Sequence, residues 1–108
     1  MDDLVAWLGK QLDEDQRIAE GAGGRRGQWR LARPLDDEEM GDASFLRPPE
    51  LRHAERHDPA RVLREVDAKR RILATLHEEG GDRMFADIFR LLALPYADRP
   101  GYLESWRP

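Results

Sequence analysis

Two histidines have the spacing that lets both imidazoles bind one metal ion from one face of a helix. They are His53 and His57, four residues apart. Their pattern is H-x-E-x-H and not H-E-x-x-H, so Glu55 points about 200° away from His53 and cannot be the adjacent base. A catalytic metal would need a third ligand, for which His77 and Asp58 are candidates. The favoured interpretation is an ordinary exposed pair, and we predict no cofactor.

Other catalytic patterns lack support. The chain has no cysteine, which excludes a thiolate nucleophile and a cysteine-based zinc site. The glycine-rich stretch 21–27 fails G-x-G-x-x-G because Arg26 occupies the third glycine position. No serine lies in a G-x-S-x-G context. We therefore predict that the protein is not an enzyme.

A basic stretch is the first candidate binding surface. Residues 52–71 contain seven basic and four acidic residues. Arg64, Arg70 and Arg71 could contact phosphates or an acidic partner, and Trp29 could add stacking. The interleaved acidic residues favour a solvated helix face instead. The net charge of −4 also argues against a dedicated nucleic-acid binder.

Three aromatic residues near the end of the sequence form the second candidate surface. Tyr96, Tyr102 and Trp106 lie within eleven residues. Tyrosine and tryptophan are enriched among the residues that anchor interfaces. They are equally suited to closing the core of a small domain with few aliphatic residues, and we favour that second role.

The elements that would position these residues are helical. The fold class predicted is mainly α, a small three-helix-type domain with room for a short strand or β-hairpin in its middle segment. Only seven β-branched residues occur, too few for a large sheet. The predicted organisation is a single domain over 1–108: a helix about 3–20, an irregular segment 21–49, a helix about 50–79 with a candidate break near 58, a helix about 82–94, and a tail 95–108.

Periodicity and capping residues support these boundaries. Leu4, Leu8 and Leu12 repeat at helical spacing and predict the buried face of the first helix. Asp58-Pro59 is a helix-start signal, and Gly80-Gly81 predicts a break. The strand prediction rests on residues 25–33, where apolar and polar residues alternate.

Two further patterns give specific expectations for the later helices. One face of the helix at 82–94 is predicted to carry four apolar residues: Phe85, Ile88, Phe89 and Leu92. Three ion pairs at i, i+4 spacing are predicted in the preceding helix: Arg61–Glu65, Glu65–Lys69 and Asp67–Arg71.

The composition indicates a setting as well as a fold. The sequence starts with acidic residues and lacks the basic and apolar regions of a signal peptide. No apolar run approaches the length of a membrane span. We therefore expect a cytoplasmic protein without membrane contact.

Three blocks of the sequence resemble a family of actinobacterial and phage proteins known only as a domain of unknown function. They are residues 1–15, residues 53–73 (HAERHDPARVLREVDAKRRIL) and residues 91–108 (LLALPYADRPGYLESWRP), together half the chain. Gly27-Gln28-Trp29 also resembles a Gly-Pro-Trp element that relatives carry after their first helix. The resemblance implies an intracellular setting and an association with mobile elements, but no activity.

Two departures from the family pattern limit what the resemblance implies. Relatives often have a longer middle segment, and many carry cysteine pairs where this chain has Glu79 to Ile88. Because this chain has no cysteine, a cysteine-based metal site cannot be carried over to it from those relatives.

These observations favour a small non-enzymatic module that binds another macromolecule, most simply a protein whose identity the sequence does not give. The alternatives are a nucleic-acid-associated accessory protein that uses the Arg64–Arg71 face, and a mobile-element protein that antagonises host machinery. The last of these rests on the resemblance alone.

Overall fold

The computed structural model describes residues 2–29 and 46–108, apart from the side chains of Asp2, Arg25 and Asp82. These residues are mainly helical, as predicted. The α-helices are α1 (Asp2–Gly21), α2 (Pro48–Arg56), α3 (Pro59–Met84) and α4 (Ala86–Ala93). Short 3-10 turns lie at Gly24–Arg26, Leu94–Tyr96 and Glu104–Trp106.

No strand or β-hairpin occurs in the described residues. The predicted short strand is therefore absent from residues 25–29, the part of it that the structure describes. Within the segment predicted to alternate, Gly24–Arg26 forms a 3-10 turn and residues 27–29 are irregular. The turn closes locally, because the Gly27 N–H donates to the Gly24 carbonyl. Residues 30–33 of the predicted strand lie outside the described residues.

Helix α1 contributes the centre of the hydrophobic core. Leu4, Leu8 and Leu12 are essentially fully buried, which confirms the predicted stripe. They pack with Val66 of α3 and Phe89 of α4. Burying each leucine contributes about 1.5–3 kcal/mol, so α1 is held mainly by this face and not by its intrinsic helix propensity.

Two helices occupy the region predicted as one helix over 50–79. Helix α2 begins at Pro48, two residues before the predicted start, because proline is tolerated in the first turn of a helix. The chain leaves the helical path at His57, and α3 starts at Pro59 with Asp58 as its N-cap. The break predicted near residue 58 therefore lies at the predicted place.

The helix break at the glycine pair is present inside the range assigned to α3. Gly81 has φ 74° and ψ 175°, a conformation that essentially only glycine adopts. Helix α4 begins at Ala86 and not near 82. The side chain of Asp82, the residue at the predicted start of that helix, is outside the described part of the chain.

The predicted apolar face of the helix at 82–94 is only partly buried. Phe89 and Ala93 are fully buried, but Ile88 of the predicted apolar face is 40% exposed. Successive residues on a helix are about 100° apart around its axis, and α4 is oriented with Phe89 towards the core. Ile88 consequently lies near the edge of the buried face.

Candidate functional site

A cleft of about 390 Å³ opens among the described residues, between α1 and α3. The segment that follows α1 closes one side of it, and the Tyr96 region closes another. Its lining is Asp15, Ile18, Ala19, Ala22, Trp29, His57, Pro59, Val62, Glu65, Val66, Lys69, Tyr96 and Arg99. The volume falls in the range of about 300–1,000 Å³ that is usual for ligand sites.

Tyr96 lies between two cations at one end of the cleft. The Lys69 Nζ donates a hydrogen bond to the Tyr96 hydroxyl at 2.8 Å. The Arg99 guanidinium lies over the face of the Tyr96 ring, 4.6 Å from its centroid. Since the tyrosine is buried, its contacts hold both cations close to the cleft wall.

Arg99 also ties this end of the cleft to α1. Its guanidinium donates to Asp15 Oδ1 at 2.8 Å and to Gln11 Oε1 at 3.3 Å. The Asp15 carboxylate is only 17% exposed, so this ion pair is shielded from solvent on the acidic side. The carboxylate of Asp15 is therefore already paired within the cleft.

Lys69 differs from Arg99 because no described carboxylate lies within 4 Å of its ammonium group. The sequence predicted an ion pair between Lys69 and Glu65. That prediction is wrong, because Glu65 accepts from Arg61 at 2.8 Å and Lys69 turns to Tyr96. The predicted pairs Arg61–Glu65 and Asp67–Arg71 are both confirmed.

The Asp58 carboxylate positions Trp29 at the opposite end of the cleft. One oxygen accepts from the Arg61 N–H at 3.0 Å and caps α3, and the other accepts from the Trp29 N–H at 3.1 Å. The N–H of Arg61, then that of Trp29, and the positive charges of Arg64 and Arg61 hold the pKa of Asp58 below its ordinary value, against the opposing effect of burial. One carboxylate thus joins the start of α3 to the segment that follows α1.

Gly27 makes this junction close-packed. A Cβ atom at Gly27 would lie 2.8 Å from Cβ of Pro59, so only glycine fits without movement. The Gly27 carbonyl accepts from the Ala60 N–H at 3.3 Å. The Gly-Gln-Trp element noted in the sequence is therefore the part of the chain that docks on the N-terminus of α3.

The two candidate metal-binding histidines do lie together. Their ring centroids are 4.4 Å apart, and both side chains are exposed. The Nδ1 of His57 lies 2.8 Å from the His53 carbonyl and is occupied by that hydrogen bond. Asp58, one candidate third ligand, accepts two backbone N–H groups instead. Among the side chains that the structure describes, no cluster of three or more His, Asp or Glu residues could hold a metal ion.

The basic face predicted on α3 is divided. Arg70 points towards α1, where it donates to Asp13 Oδ1 at 2.6 Å and to the Gln16 side-chain oxygen. Arg71 is 79% exposed and pairs with Asp67 at 3.2 Å. Arg64 is exposed. Arg70 therefore joins two helices and does not form one continuous surface with Arg71.

The three aromatic residues of the tail occupy two different places. Tyr96 forms the cleft wall, whereas Tyr102 and Trp106 pack on Trp7 of α1. The centroid distances from the Trp7 ring are 5.6 Å to Tyr102 and 5.5 Å to Trp106. Trp7 Nε1 donates to the Pro100 carbonyl at 3.1 Å. Tyr96 and Trp106 are buried, and Tyr102 is partly buried.

A second apolar surface lies along α4, beside the end of α3. Ile88 and Leu91 of α4 are three residues apart and both exposed, and Met84 at the end of α3 is exposed beside them in the sequence. Leu91 is 57% exposed, close to the 59% of Ile18 at the edge of the cleft. No described pocket includes Met84, Ile88 or Leu91, whereas the cleft has walls on several sides.

Three residues of the cleft and core were not identified from the sequence. Trp7, Lys69 and Arg99 each contact residues far away in the chain, at Tyr102, Tyr96 and Asp15 respectively. Neither helical periodicity nor a local motif marks such contacts.

In the described residues, no helix is both long enough and apolar enough to cross a membrane.

Comparison with known proteins gives one match. A family model described as a family of unknown function (DUF6221) matches residues 1–108. No curated protein and no solved structure matches the chain. Because the family model spans every residue of this sequence, the chain belongs to this family of unknown function.

Proposed function

We propose that this protein is a non-enzymatic module that binds another protein through the cleft between α1 and α3. The observation that carries the proposal is the apolar surface that the cleft leaves open, with Ile18 and Trp29 at its edges and charged groups around it. Partly apolar concave surfaces with a few polar groups are typical binding sites. Trp29 is also a residue type enriched in binding anchors.

The cleft is the stronger of the two apolar surfaces as a binding site. A ligand in the cleft would contact α1, α3 and the segment around Trp29 together, so more of its surface would be removed from water. The face of α4 would cover only one side of a partner. The affinity gained per residue is higher in desolvated pockets than on convex surfaces.

Nucleic-acid binding through Arg64, Arg70 and Arg71 is the second candidate. It is supported by the exposure of Arg64 and Arg71 and by the local excess of positive charge. It is weakened by the contacts of Arg70 with α1 and by the pairing of Arg71 with Asp67. Phosphate binding would have to compete with both of these existing interactions.

The setting of the protein is part of the same proposal. A cytoplasmic location in an actinobacterium or its phage is proposed on the strength of the resemblance alone. Antagonism of host machinery would be one form of protein binding in that setting.

The experiment compares affinity capture by the native protein and by surface variants, from an actinobacterial lysate treated or not treated with nuclease. We expect a nuclease-resistant protein that is captured by the native chain and lost with Ile18→Asp. Leu91→Asp on α4 is the matched comparison, because its side chain is almost equally exposed. Ile72→Asp on α3, which is 41% exposed and outside the cleft, controls for the added charge.

Three outcomes would contradict the proposal. Loss of capture with Leu91→Asp alone would move the binding surface to α4. Capture that disappears with nuclease, and weakens in Arg71→Ala, would favour the nucleic-acid candidate. Turnover of a substrate that one substitution abolishes would show that the protein is an enzyme.

A further inference from the structure

We infer that the cleft recognises a partner segment with an apolar side chain close to an acidic residue, whose carboxylate meets Lys69. This inference rests on the proposed function, because it names the kind of protein segment that the cleft would take. It depends on two features of the cleft, its apolar floor and a lysine, Lys69, that pairs with no described carboxylate.

The apolar part of the recognition comes from the floor of the cleft. Ala19, Val62 and Val66 line it, and Ile18 stands exposed at its edge. A volume of about 390 Å³ accommodates a large side chain with part of its backbone, and not a folded element. A leucine, isoleucine or aromatic residue fits a site of this size and polarity.

The acidic part of the recognition comes from the charges that line the cleft. Both lining acids already have partners: Asp15 pairs with Arg99 at 2.8 Å and Glu65 pairs with Arg61 at 2.8 Å. Among the described residues, the neutral Tyr96 hydroxyl is the only hydrogen-bond acceptor of Lys69. An ammonium group has more N–H donors than one hydroxyl takes up, so Lys69 can donate further.

The position of Lys69 makes that charge usable by a ligand. Its hydrogen bond to Tyr96 holds the ammonium against the buried end of the cleft. A carboxylate that enters there gains a charge-assisted hydrogen bond in a partly desolvated site. A basic segment would instead bring a like charge against Lys69 and Arg99, so acidic segments are selected over basic ones.

The test uses a phage-displayed library of random peptides, selected on the native protein and separately on Ile18→Asp. We expect the native chain to enrich peptides with an apolar residue within a few positions of Asp or Glu, and Ile18→Asp to enrich none of them. A synthetic peptide from the selection is then titrated against Lys69→Gln and Lys69→Arg. Lys69→Gln is expected to weaken binding about 5- to 10-fold, and Lys69→Arg about 2-fold or less.

A matched change in the peptide identifies the interaction. Replacing its acidic residue by the corresponding amide should weaken binding to the native protein by the same factor. The same replacement should have almost no effect on binding to Lys69→Gln, because the partner charge is already gone. Thermal melting of both Lys69 variants checks that loss of the Tyr96 hydrogen bond has not unfolded the chain.

The two ways of failing are distinct. Peptides that depend on Ile18 but show no preference for acidic residues, and bind Lys69→Gln as well as the native chain, would overturn this inference and leave the proposed function standing. Peptide selection and lysate capture that are both insensitive to Ile18→Asp would overturn the proposed function as well. Binding of a small carboxylic acid, with no peptide selected, would replace the protein segment as the ligand.

Discussion

Removal of the Asp58 carboxylate should destabilise the protein by more than the loss of an ordinary helix cap. Asp58→Ala removes the N-cap of α3, which costs about 1 kcal/mol. It also leaves the Trp29 N–H without its acceptor at a partly buried position, at about 1–3 kcal/mol. Together these losses give about 2–4 kcal/mol in the free energy of unfolding, measured by urea denaturation followed by circular dichroism.

Two other substitutions separate the contribution of the helix cap from that of the hydrogen bond to Trp29. Asp58→Asn keeps one oxygen for the cap but offers an NH₂ group where the second acceptor was, so we expect a loss of about 1–2 kcal/mol. Asp67→Ala removes an exposed carboxylate from the same helix and should change stability by about 0.5 kcal/mol or less. If Asp58→Ala costs no more than about 1 kcal/mol, the carboxylate does not join the Trp29 segment to α3.

The dependence of stability on pH gives an independent check on Asp58. Its pKa in the folded state is lowered, so its contribution is complete above its unfolded pKa of about 3.9 and is lost as the pH falls through the folded value. The difference in unfolding free energy between the native chain and Asp58→Asn should therefore be constant near neutral pH and shrink below about pH 4. A difference that does not change in acid would refute this assignment.

Two further predictions concern the contacts that hold the other elements on α1. Gly101→Ala should cost about 2–4 kcal/mol, because Gly101 has φ 91° and a Cβ atom there would lie 2.6 Å from Nε1 of Trp7. Gly24→Ala, at φ 61° with open space around it, should cost only about 1 kcal/mol, and equal losses of melting temperature would contradict the steric argument. Arg70→Ala should cost about 1 kcal/mol through loss of its two partners on α1, whereas Arg71→Ala, whose pair is exposed, should cost about 0.5 kcal/mol or less. Urea denaturation that ranks Arg71→Ala as the more damaging variant would refute this division of the basic face.

The features that the sequence predicted correctly are those determined within a few residues. Leu4, Leu8 and Leu12 identify a buried face because the helix itself sets their spacing. Asp58 and Gly81 identify a start and a break because capping and positive φ are local properties of the backbone. Such signals need no knowledge of how the helices pack.

The features that the sequence did not predict depend on which elements meet. Lys69 had a suitable partner at i−4, but Tyr96 on another element competes for its ammonium group. Ile88 shares its helical spacing with the buried Phe89. Because α4 is oriented with Phe89 towards the core, Ile88 lies at the edge of the buried face. The cleft itself is formed by segments distant in sequence, so no local pattern could reveal it.

The contact of Trp7 with Trp106 has a consequence for synthesis in the cell. The two rings come from residues 99 positions apart, and Trp7 also bonds to the carbonyl of Pro100. The nascent chain therefore cannot complete the packing around Trp7 until Trp106 has left the ribosome exit tunnel. Until then, one flank of α1 lacks its native cover and is open to chaperones or to aggregation. Contacts of such long sequence separation also slow folding, because a large loop must close before they form.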